Sequence, residues 1–213
     1  MKTRHWLIIA LVCWVVAALA GCSRSPRANF YILEPTAKAE TALPARKAPT
    51  VAIATITLPE IVDRPQLVVR VDGSRVDILE MHRWAEPLKS GITRLLAENL
   101  SRLLGLDHVS LSSQNNTETR FPIREFGDDK GETDYRIFVD IRRFESTADS
   151  VTIDAFWTIR RSTQESQKTG RSQVHEPRGG AGYETLVSAY SRALAGVSND
   201  IARAIRTEGG APR

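Results

Sequence analysis

Hydrophobic and polar positions change their period several times along the chain, and each change marks an element. From Thr50 onward, Val51, Ile53, Ile56 and Leu58 form a β-branched run that stops at Pro59. Two further β-rich runs, Leu67–Val71 and Arg75–Leu79, flank Asp72-Gly73-Ser74, which predicts a hairpin whose glycine takes positive φ. Leu88, Ile92, Leu95, Leu96 and Leu103 then recur with the helical period, and only Asn99 breaks their stripe. Pro87 suits a first helical turn and Gly105 a C-terminal cap, so the helix is predicted over residues 87–104. A short strand is expected near Val109–Leu111, followed by a polar stretch over residues 112–134.

The second half repeats the scheme. Tyr135, Ile137, Val139 and Ile141 alternate with Arg136, Asp140 and Arg142. Beyond a turn at Ser146–Ser150, Val151, Ile153, Ala155, Trp157 and Ile159 do the same, so each strand has one buried and one wet face. A polar strand around Gln167–His175 is expected to return as an edge. The last helix places Tyr183, Leu186, Tyr190, Leu194, Val197, Ile201 and Ile205 on one face and frays at Gly209-Gly210. Strands, helix, strands, helix make an α+β fold: a two-layer sandwich of a mixed or antiparallel sheet with two long amphipathic helices on one face. Residues 50–207 form one domain with no internal repeat, and 208–213 form a frayed end.

The chain ahead of this domain reads differently. Lys2, Arg4 and His5 precede an uncharged apolar run from Trp6 to Leu19, the pattern of a secretory signal peptide over residues 1–21. The run is shorter than the roughly 20 apolar residues a membrane span needs. It ends in Leu19-Ala20-Gly21-Cys22, which resembles a bacterial lipobox. The resemblance implies a diacylglycerol on the Cys22 thiol and cleavage between Gly21 and Cys22; the alternative is an ordinary leader with an incidental cysteine. Residue 23 is serine, and the family sorting rule reads the absence of Asp there as export to the outer membrane, facing the periplasm. Residues 22–49 carry Pro26, Pro35, Pro44 and Pro49 and predict a mobile tether, with one short strand near 29–33 docking as an edge.

Composition removes several classes of function. With 42% apolar and 25% charged residues the chain is not disordered overall, and two cysteines are too few for a disulfide framework. Loss of Lys2 and Arg4 with the leader leaves 27 basic against 25 acidic residues, a net of +2 that argues for no nucleic-acid partner. There is no nucleophile elbow, P-loop or zincin motif. His82, His108 and His175 lack metal-ligand spacing, and Asp128, Asp129, Glu132 and Asp134 lack that of a calcium loop. No catalytic residue, metal or cofactor is expected. Two stretches stand out: Leu58–Leu67, with Asp63 and Arg64 between two prolines, and Glu80–Leu88, with His82, Arg83 and Trp84 before a helix. These five residues hold the fold together or bind a partner, since Arg and Trp often anchor interfaces.

The order of these pieces resembles the ABC-type transport auxiliary lipoproteins, the paraquat-inducible protein C-like group. The matching features are Leu19–Cys22, Phe30-Tyr31-Ile32-Leu33, Leu58-Pro59 with Asp63-Arg64-Pro65-Gln66, His82-Arg83-Trp84-Ala85-Glu86-Pro87-Leu88, Phe156-Trp157 and the last helix. The resemblance implies a non-enzymatic outer-membrane lipoprotein that works with an MCE-domain protein in lipid transport between membranes. Self-association into a homo-oligomer is left open. The competing reading is a lipid-anchored envelope scaffold or assembly factor with no part in lipid movement.

Overall fold

The computed structural model of the chain describes residues 5–6, 27–39, 49–107, 109–111, 134–161 and 167–209. The rest of the leader with Gly21, and also Cys22, His108, the acidic stretch 128–132 and the end beyond residue 209, lie outside the described residues.

The elements run β1 (Asn29–Tyr31), β2 (Val51–Thr57), β3 (Gln66–Arg70), β4 (Val76–Trp84), α1 (Leu88–Leu104), β5 (Ser110–Leu111), β6 (Tyr135–Ser146), β7 (Ser150–Arg161), β8 (Gln167–Pro177) and α2 (Tyr183–Gly209). The fold is α+β, as the periodicity predicts. The strands divide between two sheets: a large one in the order β5-β2-β6-β7-β8 and a small one in the order β1-β4-β3. The large sheet is mixed, because β2 runs parallel to both β5 and β6 while β6, β7 and β8 are antiparallel neighbours. A parallel central strand has no wet face, which is why β2 is a Val/Ile/Ala run buried along most of its length.

Both helices pack on the large sheet and on each other. Their periodic stripes form the core: Leu88, Ile92, Leu95, Leu96 and Leu103 of α1, and Leu186, Tyr190, Leu194, Val197, Ile201 and Ile205 of α2, are all buried. Gly105 closes α1 with φ 65°, a left-handed conformation that a side chain would strain, and its N–H bonds to the Ser101 carbonyl.

The hairpin β3–β4 forms where Asp72-Gly73 predicts it, but by another device. Gly73 does not adopt positive φ. The turn is held instead by Asp72, whose Oδ1 accepts the Ser74 and Arg75 N–H groups at 3.1 and 3.0 Å, while Val71 N–H bonds to the Arg75 carbonyl at 2.9 Å. An aspartate that folds back on its own backbone serves the turn as well as a glycine does.

The N-terminal segment departs further from expectation. β1 is the predicted edge strand, parallel to β4 with Asn29 opposite His82 and Tyr31 opposite Trp84. The chain then does not leave as a tether. Residues 32–38 form a strap inlaid between the two helices, with Leu33 and Ala37 buried in the core. Asn99 explains its own burial: its Oδ1 accepts the Ala37 N–H at 3.1 Å. Arg94 bonds the Leu33 carbonyl at 2.9 Å, Arg102 the Pro35 carbonyl at 2.9 Å, and Ser191 Oγ accepts the Glu34 N–H at 3.2 Å. A proline- and alanine-rich composition is compatible with this because the helices, not a sheet, supply the backbone partners.

Candidate functional site

The two stretches singled out by sequence meet on the small sheet. Trp84 N–H bonds the Pro65 carbonyl at 2.7 Å, and Gln66 stands opposite Arg83. The loop carrying Asp63 and Arg64 is thereby pinned beside the end of β4. The loop closes on itself through Val62 and Asp63 N–H groups that both reach the Pro59 carbonyl, at 3.1 and 3.3 Å.

Strand alternation then sorts the side chains. His82 and Trp84 face α2. The His82 ring lies 4.0 Å from that of Tyr183, and its Nδ1 is 2.8 Å from the Tyr31 hydroxyl. Burial first, and the charge of nearby Glu184, push the Tyr31 phenol above its ordinary value, so it stays protonated beside the imidazole. Trp84 meets Tyr190 edge-on at 6.1 Å, and Tyr190 stacks on Phe144 at 4.1 Å. Tyr190 thus joins the small sheet, α2 and the large sheet. Its complete burial holds the phenol far above its ordinary value, and it remains neutral.

Arg83 points the other way. It is held by the Glu80 carbonyl at 2.9 Å and the Glu80 carboxylate at 3.4 Å, and its neighbour on β1 is Phe30. Asp63 is exposed, and Arg64 is half-buried with its Nε sealed from solvent without a hydrogen-bond partner. Of the five residues, Asp63, Arg64 and Arg83 therefore offer surface. His82 fastens β1 to the domain, and Trp84, 7% exposed, belongs to the core and has no surface to offer.

Sequence reasoning missed the apolar part of this surface. Six of the eight exposed large apolar side chains among the described residues lie on the small sheet or its connections: Phe30, Ile32, Ile61, Val71, Ile78 and Met81. Their signal is faint but present, because Val76-Asp77-Ile78-Leu79-Glu80-Met81 does not alternate, and a strand with apolar residues at both parities is either buried twice or covered by something else. The register adds to the irregularity: consecutive Gln66 and Leu67 of β3 stand opposite Arg83 and Leu79, so Glu80, Met81 and His82 of β4 stand opposite no residue of β3. Beneath this sheet a cavity of about 190 Å³ separates Val68, Arg70 and Val76 from Phe144 of β6. Arg70 crosses it to Glu145 at 2.8 Å, and Ser146 Oγ donates to the Val68 carbonyl at 3.1 Å.

The chain belongs to the ABC-type transport auxiliary lipoprotein component family, whose profile matches residues 31–202. It is an auxiliary lipoprotein component of ABC-type transport, and its membrane attachment is a lipid anchor. Among the described residues no helix is long and apolar enough to cross a membrane. Two crystal structures share the fold. One, of an uncharacterized protein, has a TM-score of 0.61 at 18% identity, covering 84% of this chain and 99% of that chain. The other, protein XCC0632 from Xanthomonas campestris, of family DUF330, has a TM-score of 0.63 at 18% identity, covering 82% of this chain and 93% of that chain. No curated protein matches the chain.

Proposed function

We propose that the chain is the accessory subunit that docks an MCE-type, ABC-driven lipid-transport complex at the outer membrane. Acylated Cys22 holds it there, facing the periplasm. It binds the MCE-domain protein through the β3–β4 side of the small sheet and catalyses nothing. The observation that carries this reading is that Ile61, Val71, Ile78 and Met81 are all exposed on the small sheet or its connections, which also carry Asp63, Arg64 and Arg83. Exposed apolar side chains in company with Arg are what protein interfaces are enriched in. Ser23, in place of an aspartate after Cys22, supports the choice of membrane.

The test is affinity purification of the tagged full-length chain from crosslinked envelopes. The reading expects an MCE-domain protein as a main crosslinked partner, together with its permease and ATPase. Recovery of envelope proteins that include none of these would favour the scaffold reading instead.

A further inference from the structure

Asn29 is the seventh residue after Cys22. An extended chain spans at most about 3.3–3.6 Å per residue, so β1 begins within about 25 Å of the cysteine. A free tether over residues 22–49 would have allowed about 90 Å. The strap makes the difference. Tyr31 is tied to His82, Leu33 and Ala37 are buried, and Arg94, Asn99, Arg102 and Ser191 bond the backbone from Leu33 to Ala37. Six residues, 23–28, make up the whole connection from the cysteine to β1.

We propose that this short connection brings the domain down onto the bilayer and that Phe30 and Ile32 lie in the lipid headgroup layer. The proposal rests on the reading of Cys22 as the acylated residue. Phe30 is 65% and Ile32 49% exposed, and β1 is the outermost strand of its sheet. Alternation sets Phe30 beside Arg83, on the side away from α2. Arg24 and Arg27 lie between the cysteine and β1, and no acidic residue occurs between Cys22 and Glu34. In the fold Glu34 and Glu176 share a groove with Ile32, and Glu80 pairs with Arg83, so the cations that meet phosphates are those of the acid-free stretch after Cys22, while the apolar groups enter the headgroup layer. β3 and the loop with Asp63 and Arg64 lie beyond β4, about 10 Å across the sheet at ordinary strand spacing, so membrane and partner use opposite edges.

The test uses the full mature chain in vesicles of equimolar phosphatidylethanolamine and phosphatidylglycerol. Acylation consumes Cys22, and Cys13 leaves with the leader, so an added cysteine is a unique thiol. Nitroxides at Phe30→Cys, Ile32→Cys and Thr169→Cys are compared for relaxation by oxygen, which enters lipid, and by a water-soluble nickel chelate. Thr169 is exposed, and its neighbour Lys168 bonds Ala204 and Thr207 near the end of α2. That lies about 30 Å along the helix from Tyr183 and the small sheet. The expected result is an oxygen-to-nickel ratio severalfold higher at 30 and 32 than at 169. Equal ratios at all three positions would overturn the proposal. So would shielding of 30 and 32 from both reagents with spin–spin broadening, which would place a second copy of the chain there. Labelling of the parent chain with no added cysteine would reveal a free Cys22 and remove the anchor itself, a failure distinct from that of the docked surface.

Discussion

At the scale of single residues, neighbours in the sequence have opposite duties. Trp84 and Arg83 are adjacent, yet one closes the core against Tyr190 and the other stands at the surface, paired with Glu80. Trp84→Ala should cost about 3–5 kcal/mol, as truncation of a buried large aromatic does. Arg83→Ala should change stability by no more than about 0.5 kcal/mol, because an exposed ion pair contributes little. Thermal melts of the two variants check this, and equal losses would show that the alternation along β4 is wrongly assigned. Asp154 makes a second residue-scale case. It accepts two bonds from Arg171, at 2.8 and 2.7 Å, and those bonds hold its carboxyl below the ordinary carboxylate range despite the opposing effect of burial. A depressed folded value means stability that is present at neutral pH and lost as pH falls through that value. Asp154→Asn should therefore be less stable than the parent at neutral pH, and the gap should close on acidification below about pH 4. Denaturant titrations at stepped pH that give a constant gap would count against the pair.

At the scale of elements, periodicity identified β6, β7 and both helices because their burial is one-sided, and one-sided burial writes a period into a sequence. α1 lies over Leu88–Leu104 and β6–β7 over Tyr135–Arg161, close to where alternation places them. The strap escaped for the opposite reason. It is bonded by Arg94, Asn99, Arg102 and Ser191, residues distant in sequence whose purpose shows only when the helices come together. Asn99 carried the one hint, as a polar residue interrupting an apolar stripe. The division into two sheets also left no trace, since hydrogen-bond partners are not encoded in period. The strap yields a prediction about where the domain begins. A chain starting at residue 50 gives up the burial of Leu33 and leaves the strap's bonding groups on α1 and α2 unoccupied. Losing one such side chain is worth about 2–3 kcal/mol, so it should melt roughly 5–10 °C below a chain starting at residue 27. Equal melting temperatures would make the strap an ornament.

At the scale of the whole molecule, the proposed order of parts runs from membrane to partner. Residues 23–28 separate Cys22 from β1, β1 is the edge of the small sheet, and the small sheet is joined to the main core through Trp84, Tyr190 and Phe144. The sheet presents Phe30 and Ile32 at one edge and Ile61, Asp63 and Arg64 at the other. Such an arrangement suits a subunit that holds a larger assembly at a fixed height above a bilayer. Of this surface, Asp63, Arg64 and Arg83 were legible in the sequence as charged residues in unusual settings. The exposed apolar side chains were not, because exposure is a property of the folded chain. The most direct test of the account installs a photocrosslinking amino acid at Ile61, Arg64 or Thr169 in cells that produce the proposed MCE-domain partner. Crosslinks to that partner from 61 and 64, and none from 169, are the predicted result. Crosslinks from 169 alone, or none from any position while the partner still co-purifies, would contradict the assignment of the small sheet as the docking surface.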